Sequence, residues 1–465
     1  MKRKKILILL PDGVGLRNFA FSSFVETGEK MGWEVIFWNQ TRFDLEALGY
    51  REIKINAKVP PVTDLYKRAR KNIELSEFEK RFEDPVYRNY KFRASSASLK
   101  QKLKNFLVFV LTKKYSGENG LRKLRKELKK SVRGSHTYNT CIETLKKEKP
   151  DFIFCTNQRP VNAIAALCAA EDLGVPTGTF IFSWDNLPKA TMVVEPNNYF
   201  VWSDYMKKEL LKYYPYIEEK QVQVTGAPQF EPHYKPSFRV SKKEFYETYG
   251  LNDKKEYLCF SGDDITTSPH DPIYLMDVAE AVRKLNKSGL KLGVIFRRCP
   301  VDFSARFDEV LSEYKDVIVP IEPLWDKQGE TWNSILPTKE DLKLQTNIIQ
   351  HSFMVINVGS SMVFDYIAYN KACAYINYNP TGIKLKKDIH KIYKYVHFRS
   401  MPSKKAVLWL SNKEEIICAV LQNKNEVELN LAEAQKWFER INMHPVEKAS
   451  ERIWDKIESL VSAHE

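Results

Sequence analysis

Short apolar runs alternate with longer stretches of helical periodicity along most of the chain. Continuous apolar runs of this kind are typical of strands that are covered on both faces. In the first half they occupy residues 6–10, 34–38, 152–155, 177–182, 199–202 and 221–224. In the second half they occupy residues 257–260, 292–296, 317–319, 353–357 and 372–377. Helical spacing between the runs, as at 161–173, 272–286 and 362–369, predicts parallel sheets of the doubly wound α/β type.

A proline-rich segment separates the two series of predicted strands. Pro228, Pro232 and Pro236 fall within nine residues, a density that disfavours helix and sheet alike. We therefore predict an interdomain connection here, with one domain at 1–230 and a second at 237–440. After about residue 412 the periodicity becomes helical to the end of the chain.

One segment holds most of the excess positive charge. The 465 residues include 73 Lys and Arg against 59 Asp and Glu, a net charge of +14. Between Lys100 and Arg133 there are 12 basic and two acidic residues. We therefore predict a basic helical insertion at about 95–135 in the first domain and a local patch, not a protein built around nucleic acid.

Apolar residues recur at helical spacing inside this basic segment. They are Leu103, Phe106, Leu107, Val110 and Leu111, then Leu121, Leu124 and Leu128. A basic amphipathic helix pair suits an anionic inner membrane surface, which is one candidate partner. Two alternatives stay open: the apolar faces pack on the first domain and leave the charges solvated, or the segment binds RNA. RNA binding has little support, since the only aromatic residues are Phe106, Phe109 and Tyr115.

The cysteines and the apolar runs indicate the compartment. Seven cysteines are dispersed and none forms a CxxC pair, a distribution that predicts reduced thiols. The run at 6–10 is too short for a signal sequence and leads into a Pro-Asp-Gly turn. The run at 106–111 is far short of the ~20 residues needed to span a bilayer. We predict a cytoplasmic protein without a transmembrane helix, with peripheral attachment to the inner membrane face as a further candidate.

Several catalytic and binding motifs do not occur. The chain has no GxxxxGK[ST], HExxH, EF-hand or GxSxG sequence, which disfavours a P-loop enzyme, a structural metal site and a serine-hydrolase elbow. Gly13 and Gly15 follow the first predicted strand without the third glycine of a dinucleotide fingerprint. We therefore predict no metal and no resident cofactor.

The sharpest motif is a strand followed by Gly359, Ser360 and Ser361, with a helix that begins near Met362. Free N–H groups, two hydroxyls, the helix dipole and the small glycine favour an anion at this point. Asp365 follows in the first helical turn, where its carboxylate could accept hydrogen bonds from ribose hydroxyls. The alternative is structural: Ser360 caps the helix and Asp365 complements its dipole.

Two other predicted strands of the second domain end in candidate phosphate-binding residues. Arg297 and Arg298 end one strand, where a guanidinium can face the ligand crevice and suits a diphosphate. Ser261 and Gly262 form a turn of phosphate size after another. Further along that loop, Asp271 is predicted to cap the next helix. The neighbouring Asp263 and Asp264 lack the further acids of a metal loop.

Polar residues cluster three times after predicted strands of the first domain. Open α/β sheets bind ligands at the carboxyl ends of their strands, so three such clusters together favour a binding site. The clusters are Asp12, Gly13, Arg17 and Asn18; Asn157, Gln158 and Arg159; and Trp184, Asp185 and Asn186.

These motifs resemble a known superfamily. Gly359, Ser360, Ser361 and Asp365, followed by the strand at 372–378, resemble the donor-binding strand–loop–helix of GT-B glycosyltransferases. The stretches at 183–187, 201–207 and 224–230, and the closing helix at 447–452, resemble a bacterial branch linked to surface polysaccharide synthesis. The resemblance spans roughly residues 150–460 and is weak over 40–150.

The resemblance implies a GT-B fold, with two Rossmann-like domains facing a cleft and a C-terminal helix within 441–465 that crosses back onto the first domain. It also implies a metal-independent glycosyltransferase of lipopolysaccharide or related synthesis. The enzyme would move a sugar from a nucleotide donor to a glycan or lipid-linked glycan. The donor would bind Ser261, Gly262, Arg297, Arg298, Gly359, Ser360, Ser361, Met362 and Asp365. The acceptor would bind Gly13, Arg17, Asn18, Asn157, Gln158, Arg159, Trp184 and Asn186.

Inverting transfer needs a base for the acceptor hydroxyl. Asp12 is the first candidate and Asp185 the second, while the alternative for Asp12 is a plain turn residue. Three other functions stay open. A sugar-nucleotide epimerase shares this fold and needs no acceptor, and a CDP-alditol phosphotransferase-like enzyme has a related second domain. A non-catalytic nucleotide- or polysaccharide-binding protein would keep the diphosphate site without a facing carboxylate.

Overall fold

A computed structural model describes residues 3–91, 98–327, 335–422 and 427–464. The chain forms two compact units, the first made of Met1–Pro228 with Ile441–Glu465 and the second of Gln229–Arg440. The first three residues of the predicted basic insertion, 95–97, lie outside the described residues.

The first unit is built on a seven-stranded, all-parallel sheet. Its strands are β1 (Lys5–Leu10), β2 (Glu34–Asn39), β3 (Glu52–Lys54), β4 (Phe152–Cys155), β5 (Thr177–Phe180), β6 (Asn198–Val201) and β7 (Val222–Val224). They follow the order β3-β2-β1-β4-β5-β6-β7 across the sheet. The strand order reverses between β1 and β4, and this switch point is where sheets of this type bind ligands.

Helices of the described part of the first unit surround this sheet. The chain of β1 is buried from Ile6 to Leu10, because helices cover both faces of the sheet. The helices are α1 (Phe24–Lys30), α2 (Pro61–Phe82), α3 (Leu99–Lys114), α4 (Gly117–Arg133), α5 (His136–Glu148), α6 (Ala163–Asp172) and α7 (Asp204–Tyr213).

The second unit repeats the plan with a six-stranded parallel sheet. Its order is β10-β9-β8-β13-β14-β15, so its switch point lies between β8 and β13. The strands are β8 (Glu256–Ser261), β9 (Leu292–Arg297), β10 (Ile318–Pro320), β13 (Ser352–Asn357), β14 (Ala372–Ile376) and β15 (Leu408–Leu410), and β11 (Asp326–Lys327) pairs separately with β12 (Ile335–Leu336). The helices are α8 (Lys242–Tyr249), α9 (Asp271–Lys287), α10 (Asp308–Glu313), α11 (Lys339–His351), α12 (Met362–Ile367), α13 (Glu415–Gln422) and α14 (Val427–Ile441).

Every strand predicted from an apolar run is present, within two residues at either end. The pattern missed the two-residue strands β11 and β12, and it missed β3 and β15, which are three residues long and lie at sheet edges. Strands β3 and β15 are only partly buried, so neither presents a continuous apolar run. The predicted α/β class with parallel sheets is confirmed.

The proline-rich connection is more ordered than predicted. Residues Pro228–Tyr234 form 3-10 turns, because the fixed φ of proline is compatible with that conformation. Phe230 and His233 are buried within this segment, so it is packed into the second unit and is not an exposed linker. The division between the two units falls between Pro228 and Gln229.

The C-terminal helix α15 (Ala449–Ser462) packs in the first unit. The buried indole of Trp454 stacks on Phe24 with ring centroids 4.9 Å apart and donates a hydrogen bond to the Phe24 carbonyl at 2.7 Å. Arg452 Nε donates to the Thr225 carbonyl at 2.7 Å. The last helix therefore returns to the N-terminal sheet, as the predicted fold class requires.

Five of the seven thiols are buried, whereas Cys299 is half-buried and Cys418 is exposed. Within the described ranges, no helix combines the length and hydropathy that crossing a bilayer requires.

Candidate functional site

The three polar clusters of the first unit meet at one edge of the sheet. Asp12 follows β1, Asn157 follows β4 and Asn186 lies after β5, and these three strands are neighbours. Asn162, at the start of α6, donates to the carbonyl of Pro11 at 2.7 Å and ties the β1 loop to the β4 loop. The topology thus places the predicted residues at the switch point of this sheet.

Asp12 is held by neighbours on both of its carboxylate oxygens. The Asn157 amide donates to Oδ2 at 2.8 Å, and the Val14 N–H donates to Oδ1 at 3.3 Å. Burial raises the pKa of Asp12 above its usual value, while Arg159, these two hydrogen bonds and Lys67 lower it. Burial is the largest of these effects, so the carboxyl titrates closer to neutrality than a solvated aspartate. A carboxylate of this kind suits general-base chemistry.

Asp185 has different surroundings. Its Oδ1 accepts a hydrogen bond from Asn186 Nδ2 at 2.8 Å, and its Oδ2 forms an ion pair with Lys189. The carboxylate is therefore engaged on both oxygens, one of them by a cation. These contacts suit an orienting role, so Asp12 is the better candidate for a base.

Gln158 and Asn186 have mainly structural contacts. Gln158 is fully buried, donates to Asn186 Oδ1 at 2.9 Å and accepts from the Phe182 N–H at 3.1 Å. Asn18 and Trp184 are buried as well, so their predicted contact with an acceptor would need these side chains to move. The remaining predicted acceptor residues, Gly13, Arg17 and Arg159, are near the same edge, and both arginines are half-buried.

Helix α2 adds two lysines that the sequence did not single out. Lys67 and Lys71 are one turn apart and half-buried. Burial is the main cause that lowers the pKa of Lys71 to about 8, and the charges of Lys189, Arg159 and Lys67 lower it further. The pKa of Lys67 is also lowered, by burial and then by Arg159. Arg159 and Lys67 therefore lie near Asp12, and Lys71 lies near both of them, an arrangement of three cations that favours an anionic ligand.

In the second unit, the loops after β8 and β13 lie side by side at the carboxyl edge of the sheet. These loops contain Ser261 with Gly262, and Gly359 with Ser360 and Ser361. The residues predicted to bind the donor are therefore gathered at the second switch point, although each has its own local contacts.

Gly359 is required by the backbone and by packing. Its φ is +67°, in the left-handed region that other residues avoid. A Cβ at this position would approach Phe398 Cζ to 3.0 Å and Tyr393 Cε1 to 3.2 Å. The sequence attributed this glycine to close approach of a ligand, whereas the structure shows that a Cβ here would meet these two rings.

We predict that Gly359→Ala destabilises the protein by about 1–3 kcal/mol, because the substitution combines left-handed strain with contacts to the two rings. Urea unfolding measures the loss. Gly382→Ala is the control for strain alone, since Gly382 has a φ of +74° but open space around it. Equal losses in the two variants would show that the rings yield and that packing contributes nothing.

The two serines differ in their surroundings. The Ser360 N–H donates to Asn357 Oδ1 at 2.9 Å, and Tyr375 donates to the Ser360 carbonyl at 2.8 Å. Ser361 is exposed and begins α12, which continues with the buried Met362, without a side-chain capping bond. Among the described residues, the N–H of Ser361 has no recorded acceptor. Of the two serines, Ser361 thus has the hydroxyl and N–H that a phosphate could use.

Asp365 has a partner within the protein. Its Oδ1 is 2.7 Å from His233 Nε2, and both side chains are buried. The sequence predicted a carboxylate directed at ribose hydroxyls, but no local signal could reveal a partner 132 residues away. The ribose contact stays a prediction and would have to share this carboxylate with the histidine.

Arg297 and Arg298 also have protein partners instead of open space. Arg297 is buried, and its Nη2 donates to Asp341 Oδ2 at 2.8 Å. Asp341 also accepts from the indole of Trp325 at 2.7 Å, so the arginine fixes a loop. Arg298 Nη1 donates to the Ser304 carbonyl at 2.7 Å. Because a buried charge without its partner is costly, removing either Arg297 or Asp341 would leave the other uncompensated.

The loop after β8 contains a buried carboxyl pair. The Asp263 N–H donates to Asp271 Oδ2 at 2.6 Å, and burial raises the pKa of both carboxyls. The sequence predicted that Asp271 caps α9, and this prediction is wrong. Asp271 is the first residue of the helix, and its carboxylate accepts the hydrogen bond from the Asp263 N–H instead. Asp264 accepts from Thr266 and Thr267 and forms the turn. In the described ranges, no group of three or more His, Cys, Asp or Glu is arranged to hold a metal ion.

Comparisons with known proteins identify the fold. No protein-family model and no curated sequence matches the chain. A putative UDP-N-acetylglucosamine 2-epimerase from Listeria monocytogenes superposes with a TM-score of 0.56 at 13% identity, covering 99% of this chain and 97% of that one. S. aureus MnaA, solved with UDP, gives 0.54 at 14% identity and the same coverage. A glycosyltransferase from Rickettsia africae gives 0.52 at 11% identity, covering 99% of each chain.

These similarities extend over the whole length of each chain, and they are similarities of fold. Together with the two parallel sheets and the returning C-terminal helix, they confirm that the chain has a GT-B type fold.

Proposed function

We propose that the protein is a glycosyltransferase that uses a nucleotide sugar and acts on an acidic glycan or lipid-linked acceptor in surface polysaccharide synthesis. The observation that carries the proposal is Asp12. It is a half-buried carboxyl with a raised pKa at the switch point of the first sheet, and Arg159 and Lys67 lie near it. A GT-B fold and the exposed start of α12 at Ser361 support a nucleotide donor.

In the proposed reaction, Asp12 accepts the proton of an acceptor hydroxyl while the hydroxyl oxygen forms a bond to the anomeric carbon. The bond from that carbon to the diphosphate breaks, and the nucleoside diphosphate leaves with the electron pair. The hydroxyl and N–H of Ser361 donate hydrogen bonds to the leaving diphosphate and stabilise its negative charge. Lys67, Lys71 and Arg159 bind an acidic group of the acceptor, which accounts for three cations in the neighbourhood of one half-buried aspartate.

The neighbours support the nucleotide part of this proposal. S. aureus MnaA is described with UDP, and the Rickettsia africae protein is described as a glycosyltransferase. A uridine diphosphate sugar is therefore the first donor to test, followed by cytidine, guanosine and thymidine diphosphate sugars.

The test is release of nucleoside diphosphate by the purified protein from each donor, with and without phosphorylated and neutral glycan acceptors. We expect release that depends on an acceptor and is faster with an acidic one. The matched control is Asp12→Asn, which should release nucleoside diphosphate about 10²–10⁴-fold more slowly. If no donor is consumed with any acceptor, the transferase proposal fails.

A sugar-nucleotide 2-epimerase is the second candidate, since the Listeria monocytogenes neighbour carries that description. An epimerase needs no acceptor and exchanges the proton at C2 of the sugar. Incubating each donor in D2O without an acceptor separates the two functions. Deuterium at C2 with no requirement for an acceptor would favour the epimerase, and its absence alongside acceptor-dependent release would favour transfer.

The pH dependence of transfer should report on Asp12. The base works when ionised, so the rate rises as pH increases through its raised pKa. Arg159 is the largest of the contacts that lower this pKa, so Arg159→Gln should shift the acidic limb of kcat/KM to higher pH. Lys67→Gln should shift it in the same direction by less. If the acidic limb of the kcat/KM profile lies at the same pH in both variants as in the unchanged protein, Asp12 is excluded as the titrating group.

A further inference from the structure

Helix α3 has two apolar faces, and its inner face is fixed in the first unit. Val108 is buried in a cluster with Ala69 and Ile73 of α2 and with Leu124 of α4. Arg68 Nη2 of α2 donates to Asn105 Oδ1 of α3 at 2.6 Å. The helix is therefore held in one orientation about its own axis.

The outer face of α3 presents an apolar stripe to solvent. Leu99 is 86% exposed, Leu103 and Phe106 are each 60% exposed, and Val110 is 42% exposed. Their spacing of four, three and four residues places them on one side of the helix, opposite Val108. Scattered exposed apolar residues are ordinary on a protein surface, but a stripe of four on one helix marks an interaction surface.

The charge of α3 is of one sign. Its 16 residues include five lysines and no acidic residue. At 100° per residue, Lys100 and Lys114 border one side of the stripe, and Lys102 and Lys113 border the other. An apolar stripe between two rows of cations matches the acyl and phosphate layers of an anionic lipid surface.

Helix α4 does not present an exposed apolar stripe. Its apolar residues Leu124, Leu128 and Val132 are buried, and Leu121 is partly buried against the same cluster as Leu124. Three of its cations are paired within the unit, since Arg125 contacts Glu195 at 2.9 Å, Lys129 contacts Glu171 at 3.1 Å and Arg133 contacts Asp172 at 2.7 Å. The sequence predicted a pair of membrane-binding helices, and the structure corrects this for α4: its apolar face packs on the first unit.

We propose that the outer face of α3 binds an anionic lipid surface, with the stripe inserted among the acyl chains and the flanking lysines at the lipid phosphates. A single convex helix offers no groove for a peptide. Only two aromatic residues, Phe106 and Phe109, are exposed among the lysines, which is sparse for the base stacking that single-stranded nucleic acid recognition uses. The surface is independent of the proposed reaction and does not include the cations around Asp12.

Vesicle flotation of the full-length protein tests the proposal. We expect the protein to float with vesicles of phosphatidylcholine containing phosphatidylglycerol, and not with phosphatidylcholine alone. The double variant Leu103→Gln/Phe106→Gln should bind more than tenfold more weakly. Each of Lys102→Gln and Lys113→Gln should weaken binding about fivefold at low salt.

Leu48→Gln is the matched control, because Leu48 is also an exposed apolar residue of the first unit, at 44%, but lies away from the stripe. It should bind vesicles like the unchanged protein. Leu99→Gln, at the first and most exposed position, is the substitution least able to disturb the fold, and it should also weaken binding. Thermal midpoints of all variants verify folding, and hydrolysis or transfer with a water-soluble acceptor should be unchanged.

Three results would overturn the proposal. One is failure to float with anionic vesicles at low salt. Another is binding by the Leu103→Gln/Phe106→Gln variant equal to that of the unchanged protein. The third is a dimer, or a complex with an RNA homopolymer, that the double variant abolishes while no vesicle binding is seen. That last result would assign the stripe to a second copy or to nucleic acid.

Discussion

Replacing Asp12 with Asn should reduce transfer by about 10²–10⁴-fold while the affinity for the donor nucleotide stays unchanged. The asparagine has the same shape and can still accept the hydrogen bond from the Val14 N–H, so the fold should be preserved. It cannot accept a proton at neutral pH. Steady-state rates together with calorimetric titration of the nucleotide measure the two effects separately.

Asp185→Asn is the matched control for this experiment. Asp185 is engaged by Asn186 and Lys189, so we expect its loss to change turnover less than tenfold. The opposite ranking, with Asp185→Asn inactive and Asp12→Asn active, would move the base to Asp185.

Trp454→Ala should destabilise the protein by about 3–5 kcal/mol. The indole is fully buried, stacks on Phe24 and lies 5.4 Å from the ring of Trp33 between centroids. It occupies space that is available only because Gly28 has no side chain. Truncation would leave a cavity and remove the indole's hydrogen bond to the Phe24 carbonyl.

Urea unfolding measures this loss, and Lys456→Ala is its control, since that exposed residue lies on the same helix. The control should change stability by less than about 0.5 kcal/mol. A loss below about 1 kcal/mol in Trp454→Ala would mean that α15 contributes little to the first unit.

The sheets could be predicted from the sequence because the signal is local. A parallel strand buried on both faces needs a continuous apolar run, and such runs occur at both β1 and β13. The carboxyl ends of parallel strands meet at one edge, so the contact between Asp12 and Asn157 follows from strand order alone. Short, partly exposed strands such as β3 lack this signal.

Contacts between distant residues could not be predicted. Arg297 pairs with Asp341, which lies 44 residues later in the chain, and Asp365 pairs with His233, which lies 132 residues earlier. No sequence pattern links the members of either pair. A substitution of Asp365 would therefore leave a buried histidine without its partner. Loss of nucleotide binding in such a variant would not by itself identify a ribose contact.

The lysines near Asp12 were missed for a related reason. Lys67 and Lys71 are four residues apart on α2, a spacing that indicates a shared helix face. The direction of that face depends on how α2 packs against the sheet, which the local sequence does not determine. From the sequence, the two lysines have the pattern of an ordinary solvated helix face. Only the fold shows that both lie near Arg159.

Hydrogen–deuterium exchange with and without a nucleoside diphosphate tests where the donor binds without relying on activity. Uridine diphosphate is the first ligand to use. We expect slower exchange at 358–363, with a smaller effect at 261–263, because these loops adjoin at the switch point of the second sheet. Exchange that is unchanged in both loops at saturating nucleotide, or protection confined to the first unit, would contradict the proposed nucleotide site.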